Sequence, residues 1–138
     1  MEIAVVYQSR KGKTKKVAEA IAKSLHSGAW SIEEVKDLKC DLLFLGTGVY
    51  FAGVGQKMER FLASLSGISA KKAVIFGTSA GSKKPFLHMK KILEEKGIPV
   101  DKRMLLLPGK WLMMNKGRPN GEDLVTAKVW AQGIVSEI

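Results

Sequence analysis

The chain has 138 residues, 46% of them apolar and 26% charged, and 23 lysines and arginines against 13 aspartates and glutamates give a formal charge of +10. That length fits one folded domain, residues 1–138, with a real core, and the composition excludes disorder as the default. No apolar run approaches the ~20 residues of a membrane span, and the single Cys40 excludes an internal disulfide or a multi-cysteine metal site.

Met1–Tyr7 is apolar, but polar, basic Gln8–Lys16 follows at once, so no signal peptide is expected and a cytoplasmic address is. Ile3–Tyr7 (IAVVY) is a short β-branched run of buried-strand type. From Lys13 to His26 the period changes. Val17, Ile21 and Leu25 recur every fourth residue with Ala18 and Ala22 beside them, and lysines fill the other face, which predicts a helix with its left-handed stop at Gly28. Ala29–Ile32 is a weak strand candidate. Asp41–Gly46 (DLLFLG) is a fully apolar strand opening into a loop with Gly46, Gly48 and Gly53.

Met58, Phe61, Leu62 and Leu65 then mark one buried face of a helix. Ala73–Gly77 (AVIFG) repeats the strand pattern and leads into the small-residue loop Thr78–Ser82. Pro85 falls in the first turn of the next helix, and Gly97 with Pro99 marks its end. Met104–Leu107 is the last clear strand. Asn120 suits the N-cap of a helix over Gly121–Ser136, with Leu124, Ala127, Val129, Ala131 and Val135 making it mostly apolar.

Five alternations of strand and helix, with strands apolar on both faces, predict an α/β fold with a parallel sheet covered by helices on each side. Five strands give an open three-layer sandwich, because a closed barrel needs eight units. Ligands of such sheets bind beyond the carboxyl ends of the strands. The segments after Tyr7, Gly46 and Gly77 are therefore the informative ones.

Ser9-Arg10-Lys11-Gly12-Lys13-Thr14 runs from a strand straight into a helix. Two hydroxyls, a permissive glycine and the unpaired amides of a helix start make a phosphate cradle; the plainer reading is a solvated loop in which Ser9 or Thr14 only caps. A P-loop needs glycine five residues before Gly12, where Tyr7 stands, and a dinucleotide fingerprint needs three glycines where this turn has one. A receiver domain needs acidic residues at the end of the first strand, and the sequence there is Tyr7-Gln8.

The segment resembles the phosphate loop of the flavodoxin family, Ser/Thr-x-Thr-Gly-x-Thr, with Ser9, Gly12 and Thr14 in matching positions and Lys11 in place of the usual hydroxyl residue. Gly117-Arg118-Pro119-Asn120 with Glu122-Asp123-Leu124 is similar to the helix entry of small flavodoxin-like proteins. The resemblance implies a strand order 2-1-3-4-5 and a noncovalent FMN, with its phosphate on Ser9, Arg10, Lys11, Gly12, Lys13 and Thr14. It implies one wall of the ring site from Thr47, Gly48, Val49, Tyr50, Phe51 and Gly53, and the other from Thr78, Ser79, Ala80 and Gly81. Tyr50 or Phe51 suits stacking on a flat ligand, the alternative being that each packs under the next helix. The third segment lacks the tyrosine that many members of the family place there, which leaves the second ring face more open.

Pro108-Gly109-Lys110-Trp111-Leu112-Met113-Met114 has no regular period and reads as a short extra strand at the sheet edge, or as a docking surface for a partner or quinone-like substrate. His26, at a helix end, reads as structural, His88 carries no assigned role, and Cys40 reads as a small buried hydrophobe. No residue set suggests a catalytic triad or a metal.

Positive charge is concentrated. Five of positions 10–16 are Lys or Arg, and no acidic residue occurs from Arg60 to Lys91. Flavodoxins resembling this chain are mostly acidic, so the basic surroundings are expected to favour the fully reduced flavin anion and a less negative second-electron potential, which a redox titration tests. They also suit acidic redox partner proteins; nucleic acid is not expected, because Trp30, Trp111 and Trp130 are not interleaved with the basic clusters. The favoured function is an electron carrier. Its alternatives are a small FMN-dependent NAD(P)H:quinone-type or protoporphyrinogen-type oxidoreductase, and a scaffold that binds another phosphorylated ligand.

Overall fold

A computed structural model describes residues 1–49, 53–79, 82–108 and 117–138. The elements in chain order are β1 (Ile3–Gln8), α1 (Lys13–Ser24), β2 (Ala29–Ser31), β3 (Cys40–Val49), α2 (Gln56–Ser64), β4 (Ala70–Ser79), α3 (Lys84–Glu95), β5 (Leu105–Pro108) and α4 (Gly121–Ser136). All strand pairs are parallel and the order is β2-β1-β3-β4-β5, the open α/β sandwich expected from the sequence.

Alternation along the central strands divides the core in two. Val5 and Tyr7 of β1, Leu42 and Phe44 of β3 and Val74 and Phe76 of β4 pack against Val17, Ala18 and Ile21 of α1 and Ala127, Ala131 and Ile134 of α4. Their neighbours Val6, Leu43, Leu45, Ala73 and Ile75 face the other way, onto Met58, Phe61 and Leu62 of α2 and Phe86, Met89 and Leu93 of α3. This is why the strands read as continuous apolar runs: each residue meets one helical layer or the other. Each fully buried Phe or Leu contributes about 1.5–3 kcal/mol of transfer free energy. On the α1/α4 side, Trp130 meets the Phe44 ring edge-on, with centroids 5.8 Å apart.

Two segments at the carboxyl edge differ from expectation. β3 does not stop at Gly46 but continues through Thr47 and Gly48 to Val49, and β4 continues past Gly77 to Ser79, with Thr47 opposite Gly77 and Val49 opposite Ser79. Both glycines are packing positions rather than terminators. A Cβ on Gly46 would lie 2.2 Å from the Phe76 ring, and one on Gly77 would lie 2.3 Å from the Phe86 ring and 2.4 Å from the Thr47 carbonyl oxygen.

The stop of α1 also moves. His26, not Gly28, takes the left-handed conformation (φ 55°), and the Ser27 and His26 amides donate to the carbonyls of Ala22 and Lys23 at 2.9 and 3.3 Å, a Schellman closure. β2 ends at Ser31, although the Ile32 amide still reaches the Tyr7 carbonyl at 2.8 Å. In α4, Val125 and Val129 are exposed, and the buried stripe is Ala127, Ala131 and Ile134.

Gly97 (φ 89°) does end α3 as expected, and Asn120 caps α4. The Asn120 side chain accepts from the Asp123 amide at 3.0 Å while the Asp123 carboxylate accepts from the Asn120 amide at 2.8 Å. Arg118 binds the same carboxylate and, with the Asn120 amide, holds the Asp123 pKa below its usual range. At the opposite edge, Arg103 forks onto both oxygens of buried Asp101 at 2.9 and 2.8 Å, Lys72 of β4 reaches it at 3.1 Å, and Arg103 also binds Glu137 beyond α4. The Arg103 fork, ahead of Lys72, pulls the Asp101 carboxyl far below the usual carboxylate range.

Candidate functional site

β1 delivers the chain at Gln8 to the carboxyl edge of the sheet, and α1 begins at Lys13 after four intervening residues. Gly12 makes that turn with φ 84°, in open space, a conformation that a side chain would resist. The Gly12 amide donates to the Ser9 hydroxyl at 3.0 Å. No side chain caps α1, so neither Ser9 nor Thr14 fills the capping role that the plainer reading gave them. The first-turn amides of Lys13, Thr14 and Lys15 have no intrahelical acceptor, and the turn contains no acidic residue. The positive end of the helix dipole is reinforced by Lys13, Lys15 and Lys16, with Arg10 and Lys11 in the preceding turn.

Thr14 turns inward. Its hydroxyl lies 3.0 Å from that of Thr78 at the end of β4, and both side chains are buried. The first and third expected segments are thus joined by one hydrogen bond between residues 64 positions apart. Nothing in the local pattern of either segment signals that pair.

Thr47 and Gly48 lie on the extension of β3, and the Thr47 hydroxyl is 3.4 Å from Gln8 Oε1 and 3.3 Å from the Gly48 carbonyl. Val49 belongs to the core on the α2/α3 side. A cleft of about 200 Å³ opens beside them, lined among the described residues by Gln8, Arg10, Thr47, Gly48, Gly53, Val54 and Gly55. Gln8, Val54 and Gly55 were not anticipated; Gly55 (φ 86°) makes the turn into α2 and, like Gly53, has nothing within 4 Å of its would-be Cβ. On the third segment the Ser79 hydroxyl donates to the Ser82 carbonyl at 3.3 Å. Tyr50, Phe51, Ala80, Gly81 and the 109–116 run lie outside the described residues.

The remaining titratable candidates sit elsewhere. His88 of α3 pairs with Glu59 of α2 at 2.7 Å on the exposed helical surface. Cys40, at the other end of β3, is buried, its thiol pushed up to about 11 first by burial and then by Asp41 and Glu2, which makes it a poor nucleophile. Among the described residues no cluster of His, Cys, Asp and Glu could hold a metal ion, and no helix is long and apolar enough to cross a membrane.

The family model of the flavodoxin domain matches residues 4–107. The chain belongs to the flavodoxin-domain family. Among solved structures it is similar to a flavodoxin from the domain Archaea, at 24% identity and TM-score 0.78, over 99% of this chain and 98% of that one. It is similar to oxidised flavodoxin 2 from Bacillus cereus, at 18% identity and TM-score 0.76, with both chains covered in full. It also matches rubredoxin oxygen:oxidoreductase from Desulfovibrio gigas, at 15% identity and TM-score 0.77, over 98% of this chain but 35% of that one. At these identities the structural likenesses speak for the fold alone. A comparison with curated proteins gives no significant match.

Proposed function

We propose that this flavodoxin-domain chain binds FMN noncovalently and carries electrons between redox proteins, at least one of them acidic. The observation that carries the reading is the start of α1: an uncapped, acid-free helix terminus flanked by Arg10, Lys11 and Lys13, beside a glycine-lined cleft at the carboxyl edge of the sheet. The donor set suits a dianionic phosphate, since oriented amides, the Ser9 and Thr14 hydroxyls and nearby ammonium groups offer hydrogen bonds and positive charge together. Gly12, Gly53 and Gly55 leave room where side chains would intrude. Thr47, Gly48 and Val49 on β3, and Thr78 and Ser79 on β4, with Tyr50, Phe51, Ala80 and Gly81 beyond them in sequence, are the proposed walls for the flavin ring. When bound, the flavin supplies the electron chemistry, and the protein supplies position and electrostatics.

The test is titration of the purified protein with FMN. Quenching of flavin fluorescence at one equivalent supports the reading, and protein that stays colourless without quenching removes it. Partner charge is read from ionic strength: electron exchange with an acidic partner should slow as salt rises from 0.05 to about 0.5 M, because steering between opposite charges is screened. A second reading, an FMN-dependent reductase of a quinone or porphyrin-type substrate, draws on the absence of any aromatic residue from Thr78-Ser79-Ala80-Gly81-Ser82. Steady NAD(P)H turnover with a quinone by the protein alone selects it over the carrier.

A further inference from the structure

We infer that Thr78 is a positioning residue for the phosphate end of the ligand, acting through Thr14; this rests on the FMN reading above. Thr14 occupies the first turn of α1, where the phosphate is proposed to sit, yet its hydroxyl is already engaged, 3.0 Å from the Thr78 hydroxyl in a buried setting. A threonine hydroxyl has one proton and two acceptor lone pairs. With no anion present, either partner serves as donor. A dianionic phosphate has no proton to give, so a Thr14 hydroxyl that binds it must donate, and Thr14 can then only accept from Thr78. The order Thr78 to Thr14 to phosphate is the one arrangement of these protons in which every contact is satisfied.

Two consequences follow from burial. Thr78 is held at the end of β4, opposite Gly48 of β3, so its oxygen is set by the sheet rather than by solvent. A hydroxyl that already accepts a hydrogen bond is a better donor, and the gain is larger away from water. β4 thereby fixes the rotamer and the proton direction of a residue on α1.

The experiment compares Thr78→Val, which keeps the shape and removes the hydroxyl, with Thr78→Ser, which keeps the hydroxyl. Dissociation constants are measured for FMN and for riboflavin, which lacks the phosphate. Thr78→Val should weaken FMN about tenfold while riboflavin changes less than about twofold, and Thr78→Ser should restore most of the loss. As a second readout, inorganic phosphate at one concentration should raise the melting temperature of cofactor-free wild type and Thr78→Ser more than that of Thr78→Val. An equal loss for both flavins, no loss for either, or phosphate stabilisation as large in Thr78→Val as in wild type overturns the inference and leaves Thr78 as a brace between α1 and β4. Wild type that fails to bind FMN at all overturns the parent reading instead, a result distinct from intact binding with an unchanged FMN-to-riboflavin ratio.

Discussion

Replacing Gly77 by alanine tests whether the carboxyl edge is held by close packing. The added Cβ would sit 2.3 Å from Phe86 Cε1 and 2.4 Å from the Thr47 carbonyl oxygen, both far inside contact distance. The Phe86 ring is fully buried, and close-packed interiors give a buried ring little room to swing. The Thr47 oxygen is backbone, set by the register of β3 against β4, so relief there means moving the strands apart. Overpacking of this kind costs about 1–3 kcal/mol, and a clash with backbone on one side places it at the upper end, about 3 kcal/mol. For a chain of this length, at about 3 °C per kcal/mol, the melting temperature should fall by about 10 °C.

Gly133→Ala is the internal comparison. Gly133 lies in α4 with nothing within 4 Å of a new Cβ, so the same chemical change should stabilise by about 0.5–1 kcal/mol through helix propensity alone. Thermal unfolding followed by circular dichroism reads both variants without cofactor. A Gly77→Ala protein melting within about 2 °C of wild type would refute the reasoning, because the spacing of β3 and β4 would then adjust at little cost.

Asp101→Asn should cost about 1–2 kcal/mol at pH 7, a figure reduced for the partial exposure of Lys72 and Arg103. Because the folded carboxyl is depressed below its unfolded value of ~3.9, its contribution is complete above that pH and disappears as pH falls further; the gap between wild type and variant in urea melts should narrow only below about pH 4. His26→Gly should stabilise by about 0.5–1 kcal/mol, since His26 holds φ 55° at the end of α1, and unchanged denaturant midpoints would count against strain at that position. Lys13→Glu should raise the stability of the cofactor-free protein by about 0.3–1 kcal/mol and weaken FMN at low salt; if both move in the same direction, the charge assignment at α1 is wrong.

The architecture was legible because both faces of β1, β3 and β4 are buried and the helices between them keep a strong period. The start of α4 was legible because Asn120 and Asp123 carry their cap within four residues of sequence. What escaped depends on distant partners. Gly46 and Gly77 resemble strand ends locally, yet they lie within strands and are small because of the rings of Phe76 and Phe86. Gly28 is the better intrinsic candidate for a left-handed stop, but the hydrogen bonds from Ser27 and His26 close the helix two residues earlier. In α4, valines are spread around the helix, and only contact with the sheet tells buried Ala127 from exposed Val129. The Thr14–Thr78 hydrogen bond belongs to the same class, since its two halves come from different strand-helix units.

The clustered positive charge acquires its meaning from the helix ends. α2 and α4 carry acids at the positive end of the dipole, Glu59 in one first turn and Glu122 and Asp123 in the other. α3 begins at Lys84 with none, so what sets α1 apart is its place beside the cleft at the carboxyl edge. α1 has no acid in its first turn and starts at Lys13, so ammonium groups face the positive end of the dipole. Each such placement costs about 0.3–1 kcal/mol in the free protein. A side-chain cap would offset part of that cost, but the Ser9 oxygen receives the Gly12 amide and the Thr14 hydroxyl is turned to Thr78. The penalty would become a gain on binding the proposed phosphate, since the same lysines and amides would then face opposite charge. On the proposed FMN reading, the start of α1 is arranged for the ligated state at the expense of the free one, and part of the +10 total belongs to that local arrangement.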